Sequence, residues 1–180
     1  MMVLIDTSSL ISLVRYYLPF DKDQTLYNFI KDKIESKQII ILDKVYEECE
    51  YTAKGIVLKE LKYLKSKKNI TKTTDILPTQ KFFNQLENQF INGSVKNRLT
   101  AVEFENSKNE FLNSADAKLL LYSINNNSKK CVIVTEETET SNDNKSFKKL
   151  PAICKILNLD FTTLPKLLKG YEEINLNFDK

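Results

Sequence analysis

The sequence predicts a single α/β domain built on a central, mostly parallel sheet of four or five strands, with helices on both faces. Short runs of only apolar residues, typical of buried parallel strands, alternate with longer segments in which apolar residues recur at helical spacing. The 180 residues suit one domain, and they include only three glycines and four prolines. Because few turns of special geometry can form, long helices with short connections are favoured over a many-stranded β fold.

The first part of the chain has the order of an α/β unit. The first apolar run, Met2–Ile5, predicts a buried strand and ends at Asp6. The hydroxyl residues at positions 7–9 can cap the helix that follows. Residues 26–34 predict a second helix, and Ile39–Leu42 predicts the second buried strand. We therefore expect two parallel strands joined by helices.

The middle of the chain, about residues 55–113, is predicted to be a helical insertion or cap within the same domain. A long helical pattern starts at Asp43 and runs with the same periodicity to Leu64. A polar connection is expected at residues 71–78. The helical spacing then returns at residues 82–91 and again at residues 102–112. Ser114 can cap a further helix, whose buried side is predicted at residues 117–124.

The last part of the chain predicts two more strands and one helix. Cys131–Val134 is the third buried strand, and residues 139–146 are polar and expected to be a loop. Pro151 suits the first turn of a helix. Residues 159–164 predict a fourth, shorter strand, and residues 171–180 are expected to be a loose tail. We find no linker or repeat, so residues 1–180 are predicted to form one domain.

The absence of histidine narrows the possible chemistry. The chain contains none, which excludes Ser-His-Asp triads, Cys-His pairs and most catalytic zinc sites. Hydrolysis would have to depend on carboxylates, lysine, hydroxyl groups or a metal ion. The net charge of +3 is compatible with a nucleic-acid partner where positive charge is clustered.

The cysteines and the apolar runs bear on the compartment. The three cysteines are odd in number and form no CxxC pair, so we interpret them as buried free thiols. No apolar run approaches the roughly 18 residues of a transmembrane helix. The apolar N-terminus lacks a basic leader and carries an acid at its centre. A cytoplasmic location is expected.

Acidic residues fall at the carboxyl ends of the predicted strands, which is where open parallel sheets bind ligands. They are Asp6 after the first strand, Glu47 and Glu48 in the helix after the second, Asp116 at the start of the helix before the third, and Glu136 and Glu137 after the third. Carboxylates that converge repel one another, and a divalent cation relieves that repulsion. Mg²⁺ and Mn²⁺ prefer such oxygen ligands.

Each acid also has an ordinary structural interpretation. An aspartate after a strand is often only a helix cap, and a glutamate within a helix is usually solvated. Asp116 lies in a first helical turn, where a carboxylate complements the helix dipole. A haloacid-dehalogenase-type phosphatase would need a second acid two residues after Asp6, but Ser8 stands there. A response-regulator receiver would need an acidic pair, whereas Asp6 stands alone.

Four segments in order resemble the motifs of the PIN-domain superfamily. They are VLIDTSSLI at residues 3–11, VYEEC at residues 45–49, SADAKLL at residues 114–120 and VIVTEE at residues 132–137. The string LPAIC at residues 150–154 resembles one bacterial branch of that superfamily with an uncharacterised function. The resemblance spans nearly the whole chain, and it implies a three-layer PIN-like fold.

The resemblance also implies a ligand set and an activity. Its second motif favours Glu48 over Glu47, and its fourth favours Glu137 over Glu136, although the usual acid there is aspartate. With Asp6 and Asp116, these residues are expected to hold one or two Mg²⁺ or Mn²⁺ ions. Members of the superfamily are typically ribonucleases, and many resemble toxins of toxin–antitoxin pairs and form homodimers.

We hypothesise that Asp6 is the central ligand and that Ser8 or Thr135 orients a carboxylate or a bound water. The alternative is a catalytically silent PIN-like protein that binds nucleic acid or a partner, and the glutamate in the fourth motif is its main support. Stabilisation by Mn²⁺ distinguishes the two hypotheses.

Two basic groups could contact RNA. Lys145, Lys148 and Lys149 lie beside the fourth motif, and we rank them first. Lys54 and Lys62 belong to a stretch of seven lysines at residues 54–72 that includes only one acid, and a solvated helix face is the ordinary interpretation there. The aromatic residues at positions 16, 17 and 20 could stack on bases, but core or oligomer contacts are commoner roles.

Overall fold

The computed structural model describes residues 2–126, 130–139, 145–171 and 173–174. A five-stranded sheet, parallel throughout, has the strand order β3-β2-β1-β4-β5. The strands are β1 (Met2–Ile5), β2 (Ile39–Leu42), β3 (Ile70–Thr71), β4 (Cys131–Val134) and β5 (Asp160–Thr162). The predicted α/β class with a parallel sheet between helices is confirmed.

Ten α-helices in the described residues surround this sheet. They are α1 (Thr7–Ser12), α2 (Thr25–Glu35), α3 (Asp43–Tyr51), α4 (Ile56–Glu60), α5 (Gln80–Gln85), α6 (Gly93–Lys96), α7 (Ala101–Leu112), α8 (Ala115–Asn125), α9 (Leu150–Leu157) and α10 (Leu164–Lys169). The π-helical turns Leu13–Tyr17 and Leu86–Phe90 continue α1 and α5. The arrangement is the three-layer, PIN-like one that the sequence predicted.

The register of the sheet brings the carboxyl ends of β1 and β4 side by side. Ile5 pairs with Val134, the last residue of β4, and the backbone N–H of Asp6 donates to the Val134 carbonyl at 2.9 Å. All four residues of β2 and of β4 are buried, because helices cover both faces of the sheet. Residues that follow β1 and β4 therefore meet at one edge.

The prediction of one continuous helix from Asp43 onward is wrong. Helix α3 ends at Tyr51, and Ala53, Lys54 and Gly55 have φ of 50°, 58° and 68° before α4 begins. Three left-handed residues in a row reverse the chain. Apolar periodicity persists across this break because α3 and α4 both pack on the same core, so periodicity alone does not reveal it.

A second correction concerns the middle of the chain, which is not purely helical. β3 forms the edge of the sheet where a polar connection was predicted to begin. The carboxylate of Asp43 accepts hydrogen bonds from the Thr73 backbone N–H at 2.9 Å and from its hydroxyl at 2.5 Å. This contact holds the short strand against β2.

The remaining predictions concern the last third and the core. β5 lies within the predicted fourth strand, whereas α10 was not predicted. Residues 140–144 of the expected loop, and most of the expected tail at residues 171–180, lie outside the described residues. The three cysteines are buried and form no disulfide, as predicted. No helix in the described part of the chain is both long and apolar enough to cross a bilayer.

Candidate metal centre

Asp6 is the most firmly held acid of the site. It follows β1, is 5% exposed and serves as the N-cap of α1. Its Oδ1 accepts the backbone N–H of Thr7 at 2.7 Å. Its Oδ2 accepts the hydroxyls of Ser8 at 2.6 Å and Thr135 at 2.9 Å. The sequence allowed a cap either at residues 7–9 or at Asp6, and in the structure Asp6 provides it. Three donors fix the orientation of its carboxylate.

The hydroxyls of Ser8 and Thr135 link the ends of the two central strands. The two oxygens lie 3.2 Å apart. Ser8 accepts the backbone N–H of Glu136 at 3.0 Å, and Thr135 accepts that of Glu137 at 3.2 Å. Each hydroxyl can therefore donate to Asp6 while it accepts from the chain after β4. This geometry agrees with an orienting role for both residues.

Glu48 and Glu47, neighbours in α3, face different surroundings. The Oε2 atom of Glu48 accepts the Thr7 hydroxyl at 2.7 Å, next to Asp6. Glu47 is exposed and pairs with Lys44 at 2.5 Å. The structure thus places Glu48, and not Glu47, beside Asp6. Thr7 was predicted only as a cap residue, and its contact with α3 depends on tertiary packing.

Asp116 enters from the first turn of α8. Ser114 is the N-cap of that helix, and its hydroxyl oxygen accepts the Ala117 backbone N–H at 3.2 Å. α8 packs against both α3 and β4, which brings its N-terminus towards Glu48. No described residue hydrogen-bonds to the Asp116 carboxylate, so both of its oxygens are available to a ligand.

The two glutamates after β4 have different roles. The Oε2 atom of Glu137 accepts the backbone N–H of Leu150, the first residue of α9, at 3.1 Å. Glu136 turns the other way, and its Oε1 accepts the backbone N–H of Leu164 at 2.6 Å at the start of α10. Glu136 therefore stabilises a helix terminus. The other carboxylate oxygen of Glu137 remains available. The longer side chain of Glu137 therefore contacts α9 and still lies with the other acids of the site.

The acids Asp6, Glu48, Asp116 and Glu137, called the acid cluster below, interact electrostatically. Burial is the main cause that holds the pKa of Asp116 well above its usual range. The other three members of the cluster raise this pKa further by like-charge repulsion, whereas the ammonium of Lys145 lowers it. Burial also raises the pKa of Glu48; the hydrogen bond from Thr7 is the largest opposing effect.

The cluster has the donor chemistry of a site for a hard divalent cation, but not a closed ligand cage. Within the described residues, no three acidic or thiol side chains already form a group that could hold an ion. The carboxylates converge closely enough that, besides burial, the charges of their neighbours raise the pKa values of Asp116 and Glu48. Mg²⁺ commonly binds through one or two carboxylates and retains several waters. The residues present therefore fit such an ion.

A cleft of about 400 Å³ opens beside the cluster. Asp116 and Glu137 lie on its wall together with Lys145, Lys148 and Lys149, the basic group that the sequence analysis ranked first. Lys145 is exposed, and its charge acts on both Asp116 and Glu48. Acidic and basic groups thus share one opening, a combination suited to an anionic substrate.

The other basic candidates lie elsewhere. Lys54 is exposed at the left-handed turn between α3 and α4. Lys62 lines a separate cleft of about 490 Å³ with Lys22 and Lys59. Tyr16 and Phe20 are 65% and 64% exposed at the far end of the helix that starts at the cluster. None of these residues lines the cleft beside the acid cluster.

Comparison with known families gives one match. The model of a family described as "Domain of unknown function (DUF4411)" matches residues 3–174. That range includes all four members of the acid cluster and the basic group beside them. Neither the curated proteins nor the solved structures include a significant match.

Proposed function

We propose that this chain, which belongs to the DUF4411 family of unknown function, is a Mg²⁺- or Mn²⁺-dependent endoribonuclease that cleaves phosphodiester bonds. The observation that carries the proposal is the acid cluster, in which burial and the charges of the other three carboxylates raise the pKa of Asp116 beside a basic cleft. Carboxylates whose pKa values are shifted by burial and by neighbouring charges are typical of functional sites. The resemblance of the sequence motifs to the PIN-domain superfamily supports the same activity.

The metal would bind at the acid cluster. When bound, it supplies Lewis-acid stabilisation of phosphoryl charge and activation of water. Asp6 presents a carboxylate whose direction is fixed by Thr7, Ser8 and Thr135. A ligand that is already oriented loses little entropy on binding, so Asp6 is the central ligand in this proposal.

The cations of the chain would orient the substrate. Lys145, on the wall of the cleft beside the cluster, binds a phosphate oxygen of the strand and compensates its charge. Lys148 and Lys149 extend the positive surface along the same cleft. Ser114 also lines it and provides a hydroxyl. The cleft would thus bind the RNA backbone, and the acid cluster would hold the metal ion beside the reacting phosphate.

The finer biological role follows from the resemblance alone. RNA is the proposed substrate, and the superfamily suggests a toxin that is paired with a small antitoxin, forms a homodimer and acts in the cytoplasm. A small DNA-binding protein encoded next to this chain would support that role.

The test is a cleavage assay on a mixed-sequence single-stranded RNA with EDTA, MgCl₂ or MnCl₂. We expect cleavage only with metal, and none by Asp6→Asn. Glu47→Gln is the matched control, because Glu47 lies beside Glu48 in α3 but pairs with Lys44. A folded Asp6→Asn variant with full metal-dependent activity contradicts the assignment, since that activity would arise from another site or a contaminant.

The second candidate is a silent PIN-like protein that binds nucleic acid or a partner. Two observations favour it: the described acids form no closed ligand group, and one oxygen of Glu137 is engaged by α9. RNA binding that is unchanged in EDTA, together with no cleavage and no stabilisation by Mn²⁺, would identify this alternative.

A further inference from the structure

We propose that Asn92 is a positioning residue that holds Lys145 over the acid cluster, so that the helical middle of the chain completes the site. This inference rests on the proposed function only where it gives Lys145 a part in catalysis. Most of the contacts that carry it lie outside the acid cluster, between the turn after α5 and the segment that precedes α9, and one further contact involves Glu137.

The segment at residues 145–148 is paired with the chain around Asn92. The backbone N–H of Asn92 donates to the Ser146 carbonyl at 2.9 Å. Its side-chain Nδ2 donates to the Lys145 carbonyl at 2.8 Å. On the other side of Ile91, the Lys148 backbone N–H donates to the Phe90 carbonyl at 2.8 Å. An antiparallel bridge between Ile91 and Phe147 lies between these bonds.

Helix α7 contacts the same segment from another direction. The rings of Phe147 and Phe111 lie with centroids 4.6 Å apart, and both side chains are buried. The Ser146 hydroxyl donates to that of Ser107 at 3.4 Å. The segment that carries Lys145 is therefore packed between two parts of the helical middle, which acts as more than a cover for the core.

The end of the segment is tied to the acid cluster itself. Glu137 accepts the Leu150 backbone N–H at 3.1 Å, only five residues after Lys145. The chain between these positions is thus anchored by Asn92 at one end and by Glu137 at the other. Two anchors so close together restrict the backbone from which the Lys145 side chain extends, and the charge of that side chain acts on Asp116 and Glu48.

The amide of Asn92 is the part of this anchor that a mutation can remove cleanly. The backbone bond from residue 92 to Ser146 survives any substitution other than proline. Loss of Nδ2 frees only the Lys145 carbonyl, and because Lys145 is exposed, water can replace the bond. The fold should therefore persist, while the position of Lys145 becomes less restricted.

The first test measures Mn²⁺ affinity, which needs no catalysis. A positive charge near the cluster weakens cation binding, so Lys145→Ala should tighten the Kd for Mn²⁺ by a factor of a few, the order of effect of one nearby charge on a divalent ion in water. Asn92→Ala should tighten it in the same direction but by less. The double variant should match Lys145→Ala alone, because Asn92 acts through Lys145.

Asn88→Ala is the matched control. Asn88 lies one turn earlier and also donates Nδ2 to a backbone carbonyl, that of Asn84, at 2.8 Å. Among the described residues, its side chain makes no hydrogen bond to the segment at residues 145–148, so its removal should leave the Mn²⁺ affinity unchanged. Asn92→Ser is a second variant, in case Asn92→Ala unfolds. Asn92 holds the N-cap position of α6 without a side-chain cap bond, and serine suits that position but is too short to reach the Lys145 carbonyl.

The second test separates this inference from the proposed nuclease. Binding of a fluorescent single-stranded RNA is measured in EDTA at several salt concentrations. Lys145→Ala should reduce the magnitude of the negative slope of log K against log salt by about 0.7, the value for one phosphate contact on a single strand. Asn92→Ala should lower it in the same direction, and the Asn88→Ala slope should stay at the wild-type value.

The outcomes are distinguishable. Absence of Mn²⁺ binding and of cleavage in the wild type defeats the proposed function, and the salt slopes then decide the role of Asn92. Fully additive effects of Asn92→Ala and Lys145→Ala, an equal effect of Asn88→Ala, or wild-type Mn²⁺ affinity and salt slope in folded Asn92→Ala would each overturn the positioning role.

Discussion

Substitution of Asp6 by asparagine should remove most of the stabilisation of the protein by Mn²⁺ while leaving the metal-free fold intact. In metal-free protein the change has two opposing effects. It weakens the hydrogen bonds from Ser8 and Thr135, which now meet a neutral amide. It also removes a charge that raises the pKa values of Glu48 and Asp116. We expect the free energy of unfolding without metal to change by no more than about 1 kcal/mol.

With metal the two proteins should differ clearly. An ion that binds only the folded state at 100 times its Kd stabilises by about 2.7 kcal/mol. For a chain of this size, 1 kcal/mol corresponds to about 2–4 °C, so the wild-type melting temperature should rise by about 5–10 °C. If loss of one ligand weakens binding about 100-fold, the same ion concentration equals the Kd of the variant. The same formula then gives the variant a stabilisation of about 0.4 kcal/mol, or 1–2 °C.

The assay is a thermal melt of wild type, Asp6→Asn and Glu47→Gln in EDTA and across a MnCl₂ titration. Glu47→Gln should shift as the wild type does, because its side chain points to Lys44 and not to the cluster. Equal shifts in wild type and Asp6→Asn would refute the role of Asp6 as a ligand. No shift in any of the three would refute the metal site itself.

Three further predictions concern pH, charge and helix capping. In EDTA the melting temperature should fall as pH rises from about 5 to 7, because the raised pKa values of Asp116 and Glu48 mean that the folded state keeps protons which the unfolded chain has released; an Asp116→Asn, Glu48→Gln double variant with the same pH dependence would contradict this origin. Reversal of charge at Lys145, Lys148 and Lys149 to glutamate should weaken RNA binding and lower its salt slope by about 2, from three phosphate contacts at about 0.7 each; an unchanged slope argues against the cleft. Ser114→Ala, which removes the cap of α8, should cost about 1 kcal/mol and lower the melting temperature by about 2–4 °C; a melt at the wild-type temperature would show that water replaces the cap.

Much of the fold could be predicted because it depends on local pattern. The runs at β1, β2 and β4 contain only apolar residues, and a short run of that kind between helical segments is stable only inside a covered parallel sheet. β3 was missed, because two residues carry no periodicity. The left-handed turn at Ala53 and Lys54 was missed for a related reason, since neither residue type favours that conformation.

Some residues of the candidate site could likewise be placed from local sequence, and others could not. Asp6 and Asp116 could be placed from the sequence because each stands directly at the end or the start of an element, and elements of a parallel sheet meet at one edge. The distinction between Glu47 and Glu48 required the resemblance, and in the structure it depends on which face of α3 meets Thr7. Glu136 could not be separated from Glu137 by spacing, because α10 was not predicted.

By itself, the sequence determined the class of fold, the absence of imidazole chemistry and the acids that stand at strand ends, since these depend on residue type and on short-range order. Only the tertiary structure decided which acids form a cluster, that Glu137 reaches α9, and that Lys145 is held beside them by Asn92. These contacts join residues that are far apart in the chain, such as Asn92 and Lys145. Local sequence carries no signal for such pairs, because packing of the whole chain brings them together.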